Sequence, residues 1–382
     1  MKPYLLVTGD FVRTGGMDMA NYALATHLAG KGGEVHLVAH RAEAELTAYP
    51  NVHFHRVPKP ARSYLLGEPL LNLTGRQQAA RLVNGHVLVN GGNCLWPDAN
   101  WAHYIHAAYT PVMPNGSLYK YRRAVAHRRA LKAERKAMAK ARVVICNSRK
   151  TQRDVIEKLN VPEERTSVVY YGIDAARFGF VTPAEKLQAK QKLGWSETSP
   201  TVLFIGALSD RRKGFDTLFA AWTILCSEKS WDAELAVVGQ GVEVSHWRQK
   251  AQALGIEQRI RFLGFRQDIP DLLAASDALV HPARYEAYGL GVREALSRGV
   301  PALVSADAGV AEHYEPALSE LLISNPDDEQ ELASLLRNWR NHRERFEQDI
   351  AALSNSIRQH TWEKMAVQIS QVVESASYPS RV

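Results

Sequence analysis

Short apolar runs alternate with helical patterns along the chain, stop once at a polar stretch, and restart. This rhythm predicts an α/β fold of two Rossmann-like domains with parallel sheets facing across a cleft. Length agrees, since 382 residues is long for one core and suits two domains of ordinary size. The polar stretch is residues 173–199, with Pro183 and a Lys/Gln-rich run. The expected units are residues 1–178, residues 179–358 and a C-terminal segment, 359–382.

In the first half, Y-L-L-V-T-G at 4–9 reads as a strand and Met17 to Ala29 as a helix. E-V-H-L-V-A-H at 34–40 and H-V-L-V-N at 86–90 read as strands, and Trp101 to Ala107 as a further one. A long basic helix follows, then R-V-V-I-C-N-S at 142–148 and S-V-V-Y-Y-G at 167–172. In the second half the strands are 201–206, 233–239, 259–264, 278–282 and 301–305, with helical stretches between them. Residues 358–375 form an amphipathic C-terminal helix. Open parallel sheets bind ligands beyond the carboxyl ends of their strands, so loops at those ends hold the candidates.

Composition narrows the class. An apolar fraction of 46% with 23% charged residues is that of a soluble globular protein. No apolar run approaches the roughly 20 residues that span a bilayer. The opening M-K-P-Y-L-L-V-T-G-D is too short in apolar residues for a signal peptide. Cys94, Cys146 and Cys226 show neither metal-ligand nor disulfide spacing, which fits reduced thiols in the cytoplasm.

The net charge of +7 is concentrated. Residues 120–142 hold ten Lys or Arg against one Glu, leaving the rest of the chain at −2. The segment is Ala-rich without Gly or Pro, hence helical. It reads either as a solvated helix or as a face for an anionic membrane surface or a phosphorylated acceptor, at ~1 kcal/mol per surface cation. Only Tyr121 interleaves with the cations and no nucleic-acid motif is present, so nucleic acid is not an expected partner.

The most informative stretch is R-Y-E-A-Y-G-L-G-V-R-E-A-L-S-R-G at 284–299. A helix starts after Gly289 and ends at Gly299-Val300-Pro301, placing Glu286 on a loop and Glu294 in the first turns. The N–H groups around Gly289, Leu290 and Gly291 then form an anion site through open donors and the helix dipole. A phosphate-binding turn between two carboxylates suits a nucleotide sugar, with amides on the diphosphate and carboxylates on hydroxyls.

The two glutamates eight positions apart, preceded by H-P-A-R-Y and followed by E-A-L-S-R-G-V-P-A-L-V-S, resemble the signature of retaining glycosyltransferases of family 4. That resemblance implies the GT-B fold, with the last helix crossing back to the N-terminal domain. The loop Gly206-Ala207-Leu208-Ser209-Asp210-Arg211-Arg212-Lys213-Gly214 resembles the family's G-R-L-x-x-x-K-G, whose Arg and Lys grip the donor diphosphate. Lys213 is retained and Ala207 replaces the Arg; Arg212 is expected to supply the missing charge, with Arg211 the other cation at hand.

By the same resemblance, Gly15 and Gly16 bring backbone close to the donor, and His106 stands near the donor sugar with His103 as its competitor. Glu286 bonds the sugar and Glu294 the ribose. Asn147-Ser148 and Gly239-Gln240-Gly241 match family turns. Arg261 and Phe265-Arg266 fall where the family places the base. Gly15-Gly16 is not the dinucleotide fingerprint, which disfavours a dehydrogenase. No D-x-D sits at a strand end, and Asp327-Asp328 reads as a helix cap, so no metal and no cofactor is expected.

The implied reaction moves a sugar, with retention, from a nucleotide-diphosphate sugar to an acceptor hydroxyl. A UDP-sugar is favoured and a GDP-sugar is next. The acceptor is a glycan or lipid-linked acceptor of the cell envelope, and the expected location is cytoplasmic and peripheral at the inner face of the membrane. A small soluble acceptor, an epimerase of the same fold and a non-catalytic sugar-nucleotide binder are the alternatives. No pyridoxal-phosphate lysine marks a phosphorylase.

Overall fold

A computed structural model of the chain describes residues 2–111, 117–209 and 211–376, with backbone alone at 62 and over 117–123. The chain divides into two compact units. One runs to Gly172 and takes in the C-terminal stretch from His360; the other is Ile173–Gln359.

The first unit is a seven-stranded parallel sheet: β1 Tyr4–Val7, β2 Val35–Ala39, β3 Val52–Arg56, β4 His86–Asn90, β5 Ala99–Ala102, β6 Val143–Cys146 and β7 Thr166–Val168. Its order is β3-β2-β1-β4-β5-β6-β7. Tyr4 pairs with Val35 and with His86, so β1 is central, and all four of its residues are buried. A strand covered on both faces reads as a continuous apolar run rather than an alternating one.

The second unit repeats the plan with β8 Thr201–Ile205, β9 Glu234–Val238, β10 Ile260–Gly264, β11 Ala278–His281, β12 Ala302–Ser305 and β13 Leu322–Ile323, in the order β10-β9-β8-β11-β12-β13. Counted within each unit, both sheets begin with the doubly wound order 3-2-1-4-5-6. No described helix is long and apolar enough to cross a membrane.

Several sequence expectations shift. The strand expected at 101–107 is Ala99–Ala102, and His106 lies beyond it in the 3-10 turn His106–Ala108. Strand β3 and the helix Tyr64–Arg81 were not expected. V-H-F-H-R offers few apolar residues, and the helix carries Gly67, Pro69 and Gly75 with no apolar stripe. The C-terminal helix starts at Trp362, capped by Thr361, and a separate helix, Glu347–Gln359, precedes it.

The chain leaves the first unit at Gly172. A Cβ there would overlap the backbone of Thr361 and Trp362, while Ile173 and Phe178 are buried in the second core. The helix Trp362–Ser375 packs on the helix Gly16–Gly30, and the Tyr4 hydroxyl donates to Glu374 Oε1 at 2.8 Å. Residues 377–382 lie outside the described residues.

Candidate active site

In the second unit the loops beyond β8, β9 and β11 are fitted backbone to backbone. Gly206 N–H donates to Val238 O at 3.0 Å and Gly239 N–H to Gly264 O at 2.9 Å. A Cβ at Gly239 would overlap Gly206 O, and one at Gly241 would overlap Leu208 O. The G-x-G turn therefore has a packing reason of its own. After β8 the chain makes a 3-10 turn, Arg211–Lys213, passes Gly214 with φ +70°, and enters the helix Phe215–Cys226. Asp210 lies outside the described residues.

The loop beyond β11 is fastened to that turn. Arg284 N–H donates to Arg212 O at 2.9 Å, and Arg212 Nη1 donates to Tyr285 O at 3.3 Å. The Arg284 guanidinium forks onto Asp216 at 2.7 and 2.9 Å and reaches Asp327 at 2.5 Å and Thr217 at 3.1 Å. Such bidentate pairs fix geometry as well as charge.

With the loops fastened, Lys213 Nζ forms an ion pair with Glu286, whose carboxylate also accepts from His281 Nε2 at 2.9 Å. All three side chains are largely buried, at 17%, 14% and 6% exposure for Lys213, Glu286 and His281. Burial alone would raise the Glu286 carboxyl, but Lys213 and the His281 hydrogen bond outweigh it and hold it well below the usual range. Burial, then the Lys213 charge, pushes His281 down. A neutral His281 with its proton on Nε2 donates to an ionised Glu286.

Glu286 lies three residues before Gly289, which has φ +109° and precedes the helix Leu290–Ser297. No side chain caps that helix, so its first amides are open to an anion. A Cβ on Gly291 would meet nothing within 4 Å, so space lies beside it. Glu294, one turn further on, is half-buried, and among the described residues no hydrogen bond joins it to Glu286. Burial pushes its carboxyl up to about 7, with Arg177 pulling the other way.

One expected residue falls elsewhere and another is engaged by its neighbour. Arg261 turns toward the amino end of its strand, where it pairs with Glu234, the first residue of β9, at 2.5 Å and reaches Gly194 O at 3.4 Å. It is not among the loops beyond the carboxyl ends, and this corrects the expectation. Arg266 does follow the carboxyl end of β10, but its guanidinium is engaged by Asp268, with Nε to Oδ1 at 2.7 Å.

The first unit holds the remaining expected residues. Gly15, with φ +86°, is the cap of the helix Gly16–Gly30 and offers no side chain to its amides. His106 N–H and Ala107 N–H donate to the Glu134 carboxylate at 2.8 and 3.1 Å, which fixes the turn. Burial, then His127, pulls the His106 imidazole down to about 4, so it is neutral at pH 7. His103 is the more deeply buried of the pair, hydrogen-bonded to the Tyr171 hydroxyl and packed on Trp101. Asn147 and Ser148 serve the fold: Asn147 Nδ2 donates to His103 O at 3.2 Å, and Ser148 Oγ caps its helix by accepting from Thr151 N–H at 2.9 Å. Cys94, Cys146 and Cys226 are free thiols.

Sequence reasoning gave no role to His281, Arg284 or Asp216, and read Asp327-Asp328 only as a helix cap, which Asp328 does form. His281 ends a buried strand five residues before Glu286, which is a usable signal. The Arg284–Asp216 pair spans 68 positions and leaves no local trace.

Two doubly wound sheets, the second with an uncapped helix start beside a buried Lys–Glu–His cluster, define the class: a GT-B fold. Two family models match the chain, Glycosyltransferase Family 4 over residues 14–177 and Glycosyl transferases group 1 over residues 185–352. The chain belongs to this glycosyltransferase family.

Among curated relatives it is 31% identical over 225 residues to a GDP-mannose-dependent monoacylated alpha-(1-6)-phosphatidylinositol monomannoside mannosyltransferase of Corynebacterium glutamicum, covering 53% of this chain and 55% of that one. It is 25% identical over 354 residues to a D-inositol 3-phosphate glycosyltransferase of Salinispora arenicola, covering 84% and 78%. The chain spans about half the length or less of several curated relatives it matches. The crystal structure of WaaG, a glycosyltransferase involved in lipopolysaccharide biosynthesis, shares the fold with a TM-score of 0.76 at 19% identity, covering 97% of this chain and 99% of that one.

Proposed function

We propose that the protein transfers a sugar from a nucleoside-diphosphate sugar to an acceptor hydroxyl, with retention at the anomeric carbon and without a metal ion. The observation that carries this is the buried Lys213–Glu286–His281 cluster beside the uncapped helix at Leu290. Lys213, Arg212 and the helix amides hold the diphosphate and stabilise the charge that builds on it as the glycosidic bond breaks. Glu286, kept ionised and aimed by Lys213 and His281, accepts from hydroxyls of the donor sugar. Glu294 accepts from the ribose. The acceptor oxygen attacks the face the phosphate leaves, and the phosphate takes its proton. Gly15, Gly16 and His106 are the first unit's candidates, His106 as a neutral hydrogen-bonding group.

Glu294 gives the reading a pH signature. Its raised value means that its buried charge costs stability as pH climbs from the ordinary 4.5 through about 7. Ribose hydroxyls donate to the carboxylate form, so donor affinity rises as pH passes about 7. Donor KM measured across pH 5.5–8.5 checks this, and Glu294→Gln should flatten the profile.

A lipid-linked or envelope-glycan acceptor fits the basic helix Ser117–Lys140. The side chains at 120–123 lie outside the described residues. Beyond them Arg128, Arg129, Lys132, Arg135, Lys136 and Lys140 are exposed, while Glu134, the one acid of the run, is turned inward. The exposed charge is therefore all of one sign. Reversing Lys132, Arg135 and Lys136 to Glu should weaken sedimentation with phosphatidylglycerol vesicles by about a hundredfold or more at ~1 kcal/mol per lost cation, and leave neutral vesicles unaffected. A small phosphorylated acceptor is the second reading, favoured by the inositol-phosphate enzyme matched over most of this chain.

Calorimetric titration with UDP-, GDP- and ADP-sugars under excess chelator tests the donor. One base should bind, with UDP tried first and GDP-mannose beside it because a relative's name specifies it. Binding of none would overturn the reading.

A further inference from the structure

Four side chains outside the candidate site converge at one edge of the first unit's sheet. β2 and β3 pair in parallel with His36 directly opposite His53 and Val38 opposite His55. Partners and alternate residues of parallel strands share a face, so Glu34, His36, His53 and His55 all project to one side. β3 is the edge strand, and Glu34 and His53 are exposed. The cluster sits at the amino end of the strands, whereas Gly15 follows the carboxyl end of β1.

The donor atoms have the spacing of a metal site. Glu34 Oε1 is 3.2 Å from His36 Nε2 and 3.6 Å from His53 Nε2, and all three atoms lie within 4.8 Å of one another. Ligands at ~2.0–2.1 Å from a tetrahedral zinc ion stand about 3.4 Å apart. The third separation falls within the same 4.8 Å, a range that small side-chain rotations at an edge strand can adjust. His55 completes the arrangement from behind: its Nε2 is 3.0 Å from His36 Nδ1, so a proton on Nδ1 is taken up there and Nε2 of His36 keeps its lone pair for the ion. Ligating histidines are commonly aimed in this way by a partner on the other ring nitrogen.

We propose that Glu34, His36 and His53 form a binding site for a divalent transition ion of the zinc class, with water as fourth ligand and His55 as the positioning residue. The ion would fasten the edge strand β3 to β2. Its ligands are separate from Lys213, Glu286 and the helix at Leu290, so this site and the transferase reading stand or fall independently.

The test uses the full chain without a polyhistidine tag, dialysed against Zn²⁺, with Co²⁺ as spectroscopic probe. One Zn²⁺ per chain should bind, Co²⁺ should give the strong visible bands of a four-coordinate site, and Zn²⁺ should raise the melting temperature. His53→Gln, on the exposed edge where folding is undisturbed, should weaken binding at least tenfold and remove the thermal shift. His55→Gln should weaken it about 10–100-fold. Absence of stoichiometric metal in the parent protein, or unchanged affinity in His53→Gln, would overturn the proposal.

Discussion

Replacing Lys213 with alanine should lower turnover by about 10²–10³-fold or more, the scale on which enzymes lose activity when one preorganised donor to developing charge is removed. The loss has two sources. One is the missing cation on the leaving diphosphate. The other is Glu286, which in Lys213→Ala stays buried with His281 and Arg212 but without its main counter-charge. Removing one partner of a buried pair costs about 3–5 kcal/mol when nothing replaces it; His281 and Arg212 remain here, so the lower end is expected. Glu286→Gln keeps the shape and removes the charge. It should also cut turnover steeply and melt below the parent, because the Lys213 ammonium stays buried without its counter-charge, although the new amide still accepts from His281. Steady-state kinetics beside thermal melts separates the effects, and near-normal turnover in both variants would sink the site assignment.

Gly214→Ala acts on the fold instead. Gly214 has φ +70°, and a Cβ there would overlap the carbonyl oxygen of Pro282. The side chain meets rigid backbone at the point where the turn carrying Lys213 touches the loop carrying Glu286. Overpacking of this kind with a left-handed backbone costs about 2–4 kcal/mol. A melting temperature lowered by roughly 5–15 °C follows for a unit of this size. Donor affinity should fall with it, since relief of the clash separates Lys213 from Glu286. A melting curve and donor titration matching the parent's would show that the two loops are not held as described.

What the sequence disclosed follows from how local each signal is. Glu286, Gly289 and the helix after it lie within one strand–loop–helix stretch, so both the helix start and the carboxylate before it were legible. Lys213 was legible for the same reason, at the start of its own helix. The fastening of the two loops was not: Arg284 meets Asp216 and Asp327 across 68 and 43 positions. Arg261 was misplaced because a strand sequence gives the face of a side chain but not which end of the strand a long side chain reaches. His106 was placed at a strand end, yet the strand stops at Ala102, and the turn that holds His106 depends on Glu134, 28 positions on. The domain boundary was set by polarity near 180, whereas Ile173 and Phe178 already belong to the second core.

The central claim is transfer from a nucleoside-diphosphate sugar at the Lys213–Glu286 site without a metal. Its most direct test is nucleotide release from UDP-, GDP- and ADP-sugars, with excess chelator and no acceptor, run on the parent chain and Lys213→Ala in parallel. Slow release from one donor, unchanged by chelator and lost in Lys213→Ala, is the predicted result. Release that needs a divalent ion, or that persists unchanged without Lys213, would contradict it.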